Sequence, residues 1–572
     1  MCNATISRFF IFLIAGSMLV PSITHGKTNA TSFAGAYLAG RIANYERKTN
    51  LAIDYFKQAL SYEPGNIQAQ KEMLEAALSV GEFKEAVEIA QKLKLEGITS
   101  PFVSLTLSVD NLIKKNYKDA KKSLQVTSPS SANNPISELI DAWATFGSGR
   151  QSEAIANLEK HQGPIWYNLF VHYHLALMNN LMGRTQNAQK YFTQALNNTR
   201  GAAVAPDTYE RVIIAYASFQ LRHKMRDQAL KTIRHGEQTL SGWGILKNIR
   251  KRVEKGAHLA NPVTTPQQGA GEALYDFGTA LNRGNLEWVA RIFGQLSLTL
   301  YPQNDAALFQ LAHISAKLND YEQAVKFYRA LPANSPYYRD SQMRLALILA
   351  HKNNHDEAVN LLTLLEKKIP NDHYIFVVLA DIYTQQNKFA EAVEVMNRAI
   401  AQITNFQQND WKLFYQRGVI LERLGRWQEA EADLRKALEF SPDQPQVLNY
   451  LGYSLIDRGQ KLEESLQMLQ KASSLQSRNG YILDSLGWAY YKLGQYDDAV
   501  KTLETAVKLQ PEDPTLNDHL GDVYWRTGRK REAVFQWNHA LDGKPKNPEK
   551  IEEKLKFGLP ETTILDHNNM KQ

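Results

Sequence analysis

Residues 480–513 read GYILDSLGWAYYKLGQYDDAVKTLETAVKLQPED, and residues 514–547 read PTLNDHLGDVYWRTGRKREAVFQWNHALDGKPKN. Aligned without a gap, these two stretches of 34 residues share glycine at places 8 and 15, alanine at place 20 and proline at place 32. A small residue at place 8 lets two helices approach closely, and glycine at place 15 accepts the left-handed backbone that ends a helix. Proline at place 32 cannot continue a second helix. Each stretch is therefore predicted to form a helix-turn-helix unit.

The alanine spacing recurs along most of the chain. Steps of 34 residues link Ala52, Ala86, Ala120, Ala154 and Ala188, then Ala290, Ala324, Ala358 and Ala392, and finally Ala499 and Ala533. A fixed period of this length is the signature of tetratricopeptide (TPR) repeats. The predicted fold class is all-α, a superhelical TPR solenoid of about fourteen units between Phe33 and Pro545.

Other places of the unit follow the same logic. Place 15 holds glycine or asparagine, the two residues that best accept left-handed backbone, at Gly81, Gly149, Gly183, Asn319, Asn353, Asn387, Gly425, Gly459, Gly494 and Gly528. Place 24 holds a large side chain at Phe56, Phe192, Tyr328, Leu434, Leu503 and Trp537. Both patterns predict that the first helix of each unit ends at place 15 and that the second helix packs against it.

Two interruptions divide the predicted array. Ala229 and Ala290 are 61 residues apart, one unit plus 27 residues, and the excess contains turn-forming residues around Asn261-Pro262. The predicted organisation is an N-terminal TPR array (33–234), an irregular hinge or loop (235–270), a middle array (271–403), a C-terminal array (411–545) and a tail (546–572). Stacked units of this kind expose a concave groove lined mainly by the first helices, so the sequence predicts a surface that binds other proteins.

The first 26 residues are predicted to be a signal peptide. Arg8 precedes an uncharged run of twelve residues from Phe9 to Val20, and small residues near Gly26 suit cleavage. Twelve residues are too few to span a membrane, which needs about 20. The prediction is an exported chain in the periplasm of a Gram-negative bacterium, with peripheral membrane association at most; an uncleaved N-terminal anchor is the alternative.

The composition and the residue spacing argue against a catalytic site or a metal site. The 572 residues are 44% hydrophobic and 22% charged with a net charge of +7, an ordinary globular balance that does not call for nucleic acid as a partner. The single cysteine, Cys2, excludes a disulfide framework, a Cys-based zinc site and a thiol catalyst. His351 and His355 have the spacing of metal ligands on a helix, but Asn353 lies between them at a predicted turn. No catalytic residue, cofactor or metal is predicted, and the chain is predicted not to be an enzyme.

A basic run lies beside the predicted hinge. Residues 247–255, KNIRKRVEK, carry five positive charges and one negative charge. Two interpretations remain open from the sequence. The run is either a solvated helix face or a surface that contacts anionic lipid or an acidic partner.

The last third of the chain carries the most recognisable strings, LNYLGYSL (448–455), LDSLGWAY (483–490) and NDHLGDVYW (517–525). These strings resemble the C-terminal units of a group of exported proteobacterial TPR proteins. The resemblance implies a relation to adaptor lipoproteins that tether a periplasmic carboxyl-terminal processing protease and present substrates to it. A bacterial lipoprotein requires a cysteine directly after its apolar N-terminal run. This chain differs from the adaptor lipoproteins because its apolar run is not followed by a cysteine.

In TPR proteins generally, places 2, 5, 9, 12 and 13 of each unit face the groove. Counting from Trp411, this rule predicts groove positions at Tyr415, Asn449, Tyr453, Asp484, Trp488, Tyr491, Asp518, Asp522 and Trp525. Aromatic rings that alternate with Asn and Asp could stack on the side chains of a bound peptide and hydrogen-bond its backbone. The carboxylates favour a basic or amide-rich ligand. The alternative is that several of these residues pack between units, Trp488 and Tyr490 above all.

The predicted function is that of a non-enzymatic scaffold or adaptor of the cell envelope. It would bind partner proteins in the concave groove and present substrates to a periplasmic protease. Two alternatives stay open, an accessory subunit of envelope polysaccharide synthesis or export, and a secreted factor that acts on host cells.

Overall fold

A computed structural model describes residues 30–124, 135–161, 166–240, 244–283, 286–370 and 372–560. Within these residues it contains thirty-one α-helices and no β-strand, which confirms the all-α prediction. The chain divides into two compact units, Met1–Ile348 and Leu349–Gln572. The predicted signal peptide (1–26) lies outside the described residues, as does the end of the predicted tail (561–572).

Helices of the first unit mostly follow one another as pairs. They are α1 (Phe33–Tyr45), α2 (Thr49–Tyr62), α3 (Ile67–Val80), α4 (Phe83–Leu95), α5 (Pro101–Ile113), α6 (Tyr117–Leu124), α7 (Pro135–Gly147), α8 (Gln151–Glu159), α9 (Asn168–Leu181), α10 (Thr185–Leu196), α11 (Thr199–Val204), α12 (Pro206–Arg222), α13 (Arg226–Thr239), α14 (Gly244–Glu254), α15 (Pro266–Asn282), α16 (Glu287–Leu300), α17 (Asp305–Lys317), α18 (Tyr321–Ala330) and α19 (Tyr338–His351), whose last turn belongs to the second unit. Helices α11 and α14 are additions to the paired pattern.

Helices of the second unit keep the paired pattern throughout the predicted C-terminal array. They are α20 (His355–Lys368), α21 (His373–Gln385), α22 (Phe389–Ala401), α23 (Trp411–Arg423), α24 (Trp427–Phe440), α25 (Pro445–Asp457), α26 (Leu462–Leu475), α27 (Gly480–Lys492), α28 (Tyr496–Leu509), α29 (Pro514–Arg526), α30 (Lys530–Asp542) and α31 (Pro548–Phe557). A 3₁₀ turn at Gln408–Asp410 precedes α23 and fills the small insertion before the array.

The repeat places determine how each pair packs. All eleven alanines of the 34-residue series are fully buried, with 0% of their surface exposed. A Cβ added at Gly487 would lie 2.5 Å from the Leu503 side chain, and one added at Gly521 would lie 2.5 Å from Trp537. All ten glycines and asparagines at place 15 have positive φ, between 58° and 90°. Small residues at place 8, turns at place 15 and large side chains at place 24 therefore act as the sequence predicts.

The predicted hinge at 235–270 contains more helix than the sequence suggested. It holds the end of α13, the whole of α14 and the start of α15. Leu246, Ile249 and Val253 are buried on one side of α14, and this spacing of three and four residues stabilises an amphipathic helix. Among the described residues of this stretch, the backbone is irregular at Leu240 and from 255 to 265.

The pair α15–α16 lies against the first helices of the preceding pairs. Helix α15 contacts α7, α9 and α12, and α16 contacts α3 and α5. Small residues allow this approach, because a Cβ added at Gly269 would lie 2.4 Å from the Trp143 ring. The sequence predicted an open groove along these first helices. In the structure that inner surface is covered by the chain's own helix pair.

Candidate protein-binding surfaces

A buried ion pair joins α15 to the inner surface of the first unit. The Glu272 carboxylate accepts hydrogen bonds from Arg211 Nε at 2.7 Å and Arg211 Nη2 at 3.0 Å, and from the Tyr173 hydroxyl at 2.8 Å. Burial, and then the charge of Glu272, raises the pKa of Tyr173 well above its ordinary value, so this hydroxyl remains a donor. The two-point geometry of Arg211 compensates for much of the cost of burying both charges.

A second chain of hydrogen bonds runs from α7 through α9 to α15. Trp143 Nε1–H donates to His174 Nδ1 at 3.0 Å, so that ring nitrogen carries no proton. Burial lowers the pKa of His174 to about 4, and the ring is therefore neutral at pH 7 with its proton on Nε2. His174 Nε2–H then donates to Asp276 Oδ2, 3.2 Å away. Three helices are fixed to one another through this chain.

These polar contacts exclude the first unit's inner surface as an open groove. Sequence reasoning missed them, although Glu272 and Asp276 give a signal, since both are acidic and four residues apart on a helix otherwise rich in small residues. Two acids on one face of such a helix need buried partners of opposite charge or hydrogen-bond donors. Arg211 and His174 supply those groups from α12 and α9.

The nine predicted groove residues all lie on first helices of the second unit. Tyr415 is on α23, Asn449 and Tyr453 are on α25, Asp484, Trp488 and Tyr491 are on α27, and Asp518, Asp522 and Trp525 are on α29. Seven of them are partly exposed, whereas Asp484 and Asp522 are buried. The place rule therefore selects residues on first helices, and their side-chain contacts divide them into two groups.

The three predicted carboxylates have partners on the next first helix. Asp484 Oδ1 lies 2.9 Å from His519 Nδ1. Asp518 Oδ1 and Asp522 Oδ1 accept from Lys554 Nζ on α31 at 2.7 Å and 2.8 Å. Asp522 also accepts from Trp537 Nε1 at 3.0 Å. These contacts favour the alternative in which the carboxylates hold successive helix pairs together.

Replacing Asp484 with asparagine is expected to destabilise the second unit in a pH-dependent way. Burial lowers the pKa of His519, but the charge and hydrogen bond of Asp484, together with the charges of Asp522 and Asp518, raise the pKa above its ordinary value. The pair's contribution is therefore complete below about pH 6.5, the unfolded value, and is lost as the pH rises through the folded pKa. We expect a loss of about 2 kcal/mol at pH 6 and a smaller loss at pH 9, measured by urea unfolding.

The matched control is Asp443→Asn. Asp443 pairs with Lys471 at 2.6 Å, but its side chain is 70% exposed, so the change should cost less than about 0.5 kcal/mol. An equal loss for Asp484→Asn at both pH values would contradict the assigned ion pair.

Five of the remaining predicted residues form a partly exposed surface on successive first helices. We use the term aromatic surface for Tyr415, Asn449, Tyr453, Trp488 and Tyr491. The Trp488 ring stacks on Tyr491 with centroids 4.8 Å apart, and on His519 at 4.0 Å. Asn449 Oδ1 and Trp488 Nε1 are buried atoms without a hydrogen-bond partner within the described part of the chain. Trp525 packs on Trp537 at 5.3 Å and so belongs with the packing residues.

The described residues were compared with two kinds of feature, a metal-binding group of side chains and a membrane-spanning helix. They contain no group of three His, Cys, Asp or Glu side chains arranged to hold a metal ion. Asn353, between His351 and His355, adopts positive φ as predicted. Among the same residues, no helix combines the length and the apolar character needed to cross a bilayer.

Comparison with known proteins identifies the repeats. Residues 310–373, 343–410, 377–445 and 415–474 match a tetratricopeptide repeat model, and residues 487–528 match a TPR repeat model. A TPR repeat-containing protein of Pseudomonas aeruginosa is 30% identical over 198 residues, which are 34% of this chain and 32% of that protein. The matched region thus spans about a third of the curated relative's length.

Solved structures match the chain at low sequence identity and with low TM-scores. A tetratricopeptide repeat protein from Parabacteroides merdae is 19% identical with a TM-score of 0.36, covering 44% of this chain and 98% of its own. A chain of the Cut9–Hcn1 hetero-tetramer of the APC/C is 15% identical with a TM-score of 0.38, covering 88% of this chain and 98% of its own. With the helix pairs described above, the repeat matches confirm the predicted TPR solenoid.

Proposed function

We propose that this chain of TPR repeats is a non-enzymatic scaffold that binds partner proteins on the aromatic surface of its second unit. The observation that carries the proposal is the row of partly exposed aromatic rings on successive first helices, Tyr415, Tyr453, Trp488 and Tyr491. Tyr and Trp rings supply large contact areas at small entropic cost, as binding hot spots require.

The first unit supports this choice by exclusion. Its inner surface is filled by α15 and α16, and the Glu272–Arg211 pair holds them there. A partner would have to break buried charge contacts to enter, which costs several kcal/mol. Binding on an inner surface is therefore proposed for the second unit alone.

The cellular role that we propose is an envelope adaptor. The predicted signal peptide supports export to the periplasm, and the strings in 448–525 support a relation to adaptors of carboxyl-terminal processing proteases. In that role the aromatic surface holds the protease or its substrates. In this proposed role, the partner protease carries out the catalysis.

The test is a pull-down from envelope extract with the double variant Asn449→Ala/Tyr453→Ala. We expect recovery of the partner to fall at least about tenfold, since these two residues supply an amide and an anchoring ring. The control is Phe535→Ala, which removes a 60% exposed ring from the second helix α30 and should leave recovery unchanged. Thermal melting of each variant separates a lost contact from a lost fold.

The identity of the recovered protein decides among the roles. A periplasmic protease supports the adaptor, whereas glycosyltransferases would support the polysaccharide role instead. Native protein found in culture supernatant rather than the periplasm would support the secreted factor. Equal recovery by wild type and the double variant would contradict binding at the aromatic surface.

A further inference from the structure

Helix α14 exposes a row of lysines on the outside of the first unit. Its apolar side, Leu246, Ile249 and Val253, is buried against the unit. Lys247 and Lys251 on α14 are exposed, and so is Lys255, which directly follows the helix and donates its backbone N–H to Lys251 O. Intervals of four residues place the three lysines along one side over about 12 Å. We use the term basic face for these three lysines.

Nearby carboxylates do not neutralise the basic face. Glu237 accepts from Arg250 Nε at 2.9 Å, and Glu254 accepts from Arg250 Nη1 at 2.9 Å. Glu254 also lies 3.4 Å from Arg234 Nη2. Both carboxylates are thus engaged by arginines, and none of the ion pairs in the described residues includes a lysine of the basic face. The three ammonium groups therefore leave a local positive potential.

We propose that the basic face binds an anionic phospholipid surface. A protein interface normally has an apolar or aromatic core, but none of the exposed large hydrophobic side chains of the described residues lies on α13 or α14. A bilayer needs no such core, because mobile phosphate groups can follow flexible lysine side chains. Three lysines near an anionic membrane multiply the partition coefficient by about a hundredfold at low salt.

The experiment is cosedimentation with vesicles, using a chain that starts at Lys27 and so keeps every described residue. The probe is phosphatidylcholine vesicles with about 30% phosphatidylglycerol at about 50 mM salt, compared with pure phosphatidylcholine. We expect binding to the anionic vesicles, at least about tenfold weaker binding to the neutral ones, and loss at about 500 mM salt. The variant K247E/K251E/K255E should lower anionic binding at least about tenfold.

The matched control is K84E/K94E/K118E, which changes the net charge equally at exposed lysines elsewhere in the first unit. It should retain most of the binding. The triple Lys→Gln variant of the basic face covers the case in which charge reversal prevents folding, and it too should bind weakly. No wild-type binding to anionic vesicles, or equal losses for the control and the basic-face variants, would overturn the proposal. Binding of an acidic protein without vesicle binding would overturn it as well.

Discussion

Glu272→Ala is expected to destabilise the first unit by about 3–5 kcal/mol, because it leaves the buried Arg211 guanidinium without its carboxylate. Tyr173 loses the acceptor of its hydroxyl at the same time. Urea unfolding followed by circular dichroism and tryptophan fluorescence measures the change. Hydrogen exchange should locate the loss in α9, α12 and α15, since these helices carry the three side chains.

Two further variants make this prediction specific. Glu153→Ala removes an exposed ion pair with Arg150 in the same unit and should cost less than about 0.5 kcal/mol. The double variant Arg211→Met/Glu272→Met replaces both charges by apolar side chains and should be more stable than Glu272→Ala. A Glu272→Ala protein as stable as wild type would contradict the assigned role of this ion pair.

Trp143→Ala is expected to have an effect of similar size, about 3–5 kcal/mol. The Trp143 side chain is fully buried against Gly269 of α15, and its N–H is the donor to His174. The substitution leaves a cavity and an unpaired ring nitrogen. The control is Trp288→Ala, whose ring is 50% exposed on α16 and whose loss should cost about 1 kcal/mol or less.

A double-mutant cycle checks that the effect arises at the contact with α15. Gly269→Ala alone should destabilise the protein, because its Cβ would lie 2.4 Å from the Trp143 ring. In the Trp143→Ala background the same methyl group enters a cavity and should cost nothing or stabilise. Additive effects of the two substitutions would show that α15 does not lie on Trp143.

The repeat pattern predicts the packing within each helix pair well, because that packing depends on contacts between residues of the same unit. Place 8 and place 24 contact each other within one helix pair, and place 15 ends a helix by its own backbone preference. Gly487 against Leu503 is one such contact. The pattern does not specify which pair lies beside which. Gly278 and Ala290 fit the consensus in α15–α16, yet this pair lies across the first helices of earlier pairs.

The candidate site was predicted to the level of helices but not of contacts. Place 5 acids reach a residue 35 or 36 positions later, as in Asp484 with His519 and Asp518 with Lys554. The same separation occurs in Asp381 with Gln416. Pairs at this distance are readable in the sequence once the first helices are known to be neighbours. The place rule alone predicts that a side chain faces the groove. It does not predict which side chain of the next unit that residue contacts.

For the basic run at 247–255, the sequence shows the charges but not which of them are engaged by other residues. Its charge was evident from the sequence, but only the structure separates engaged residues from exposed ones. Arg250 is bound to Glu237, and Arg252 donates to the backbone of Asn334. Lys247, Lys251 and Lys255 are left on the outside. Of the five positive charges in the sequence run, three are thus exposed lysines at intervals of four residues, two on α14 and one directly after it.

Hydrogen exchange with and without the partner recovered from envelope extract tests the central claim most directly. The account predicts slow exchange of α15 in both states and new protection at α25 and α27, where Asn449, Tyr453 and Trp488 lie. Fast exchange of α15 in the isolated chain, with new protection on α7, α9 and α12 and none on α25 or α27, would contradict it.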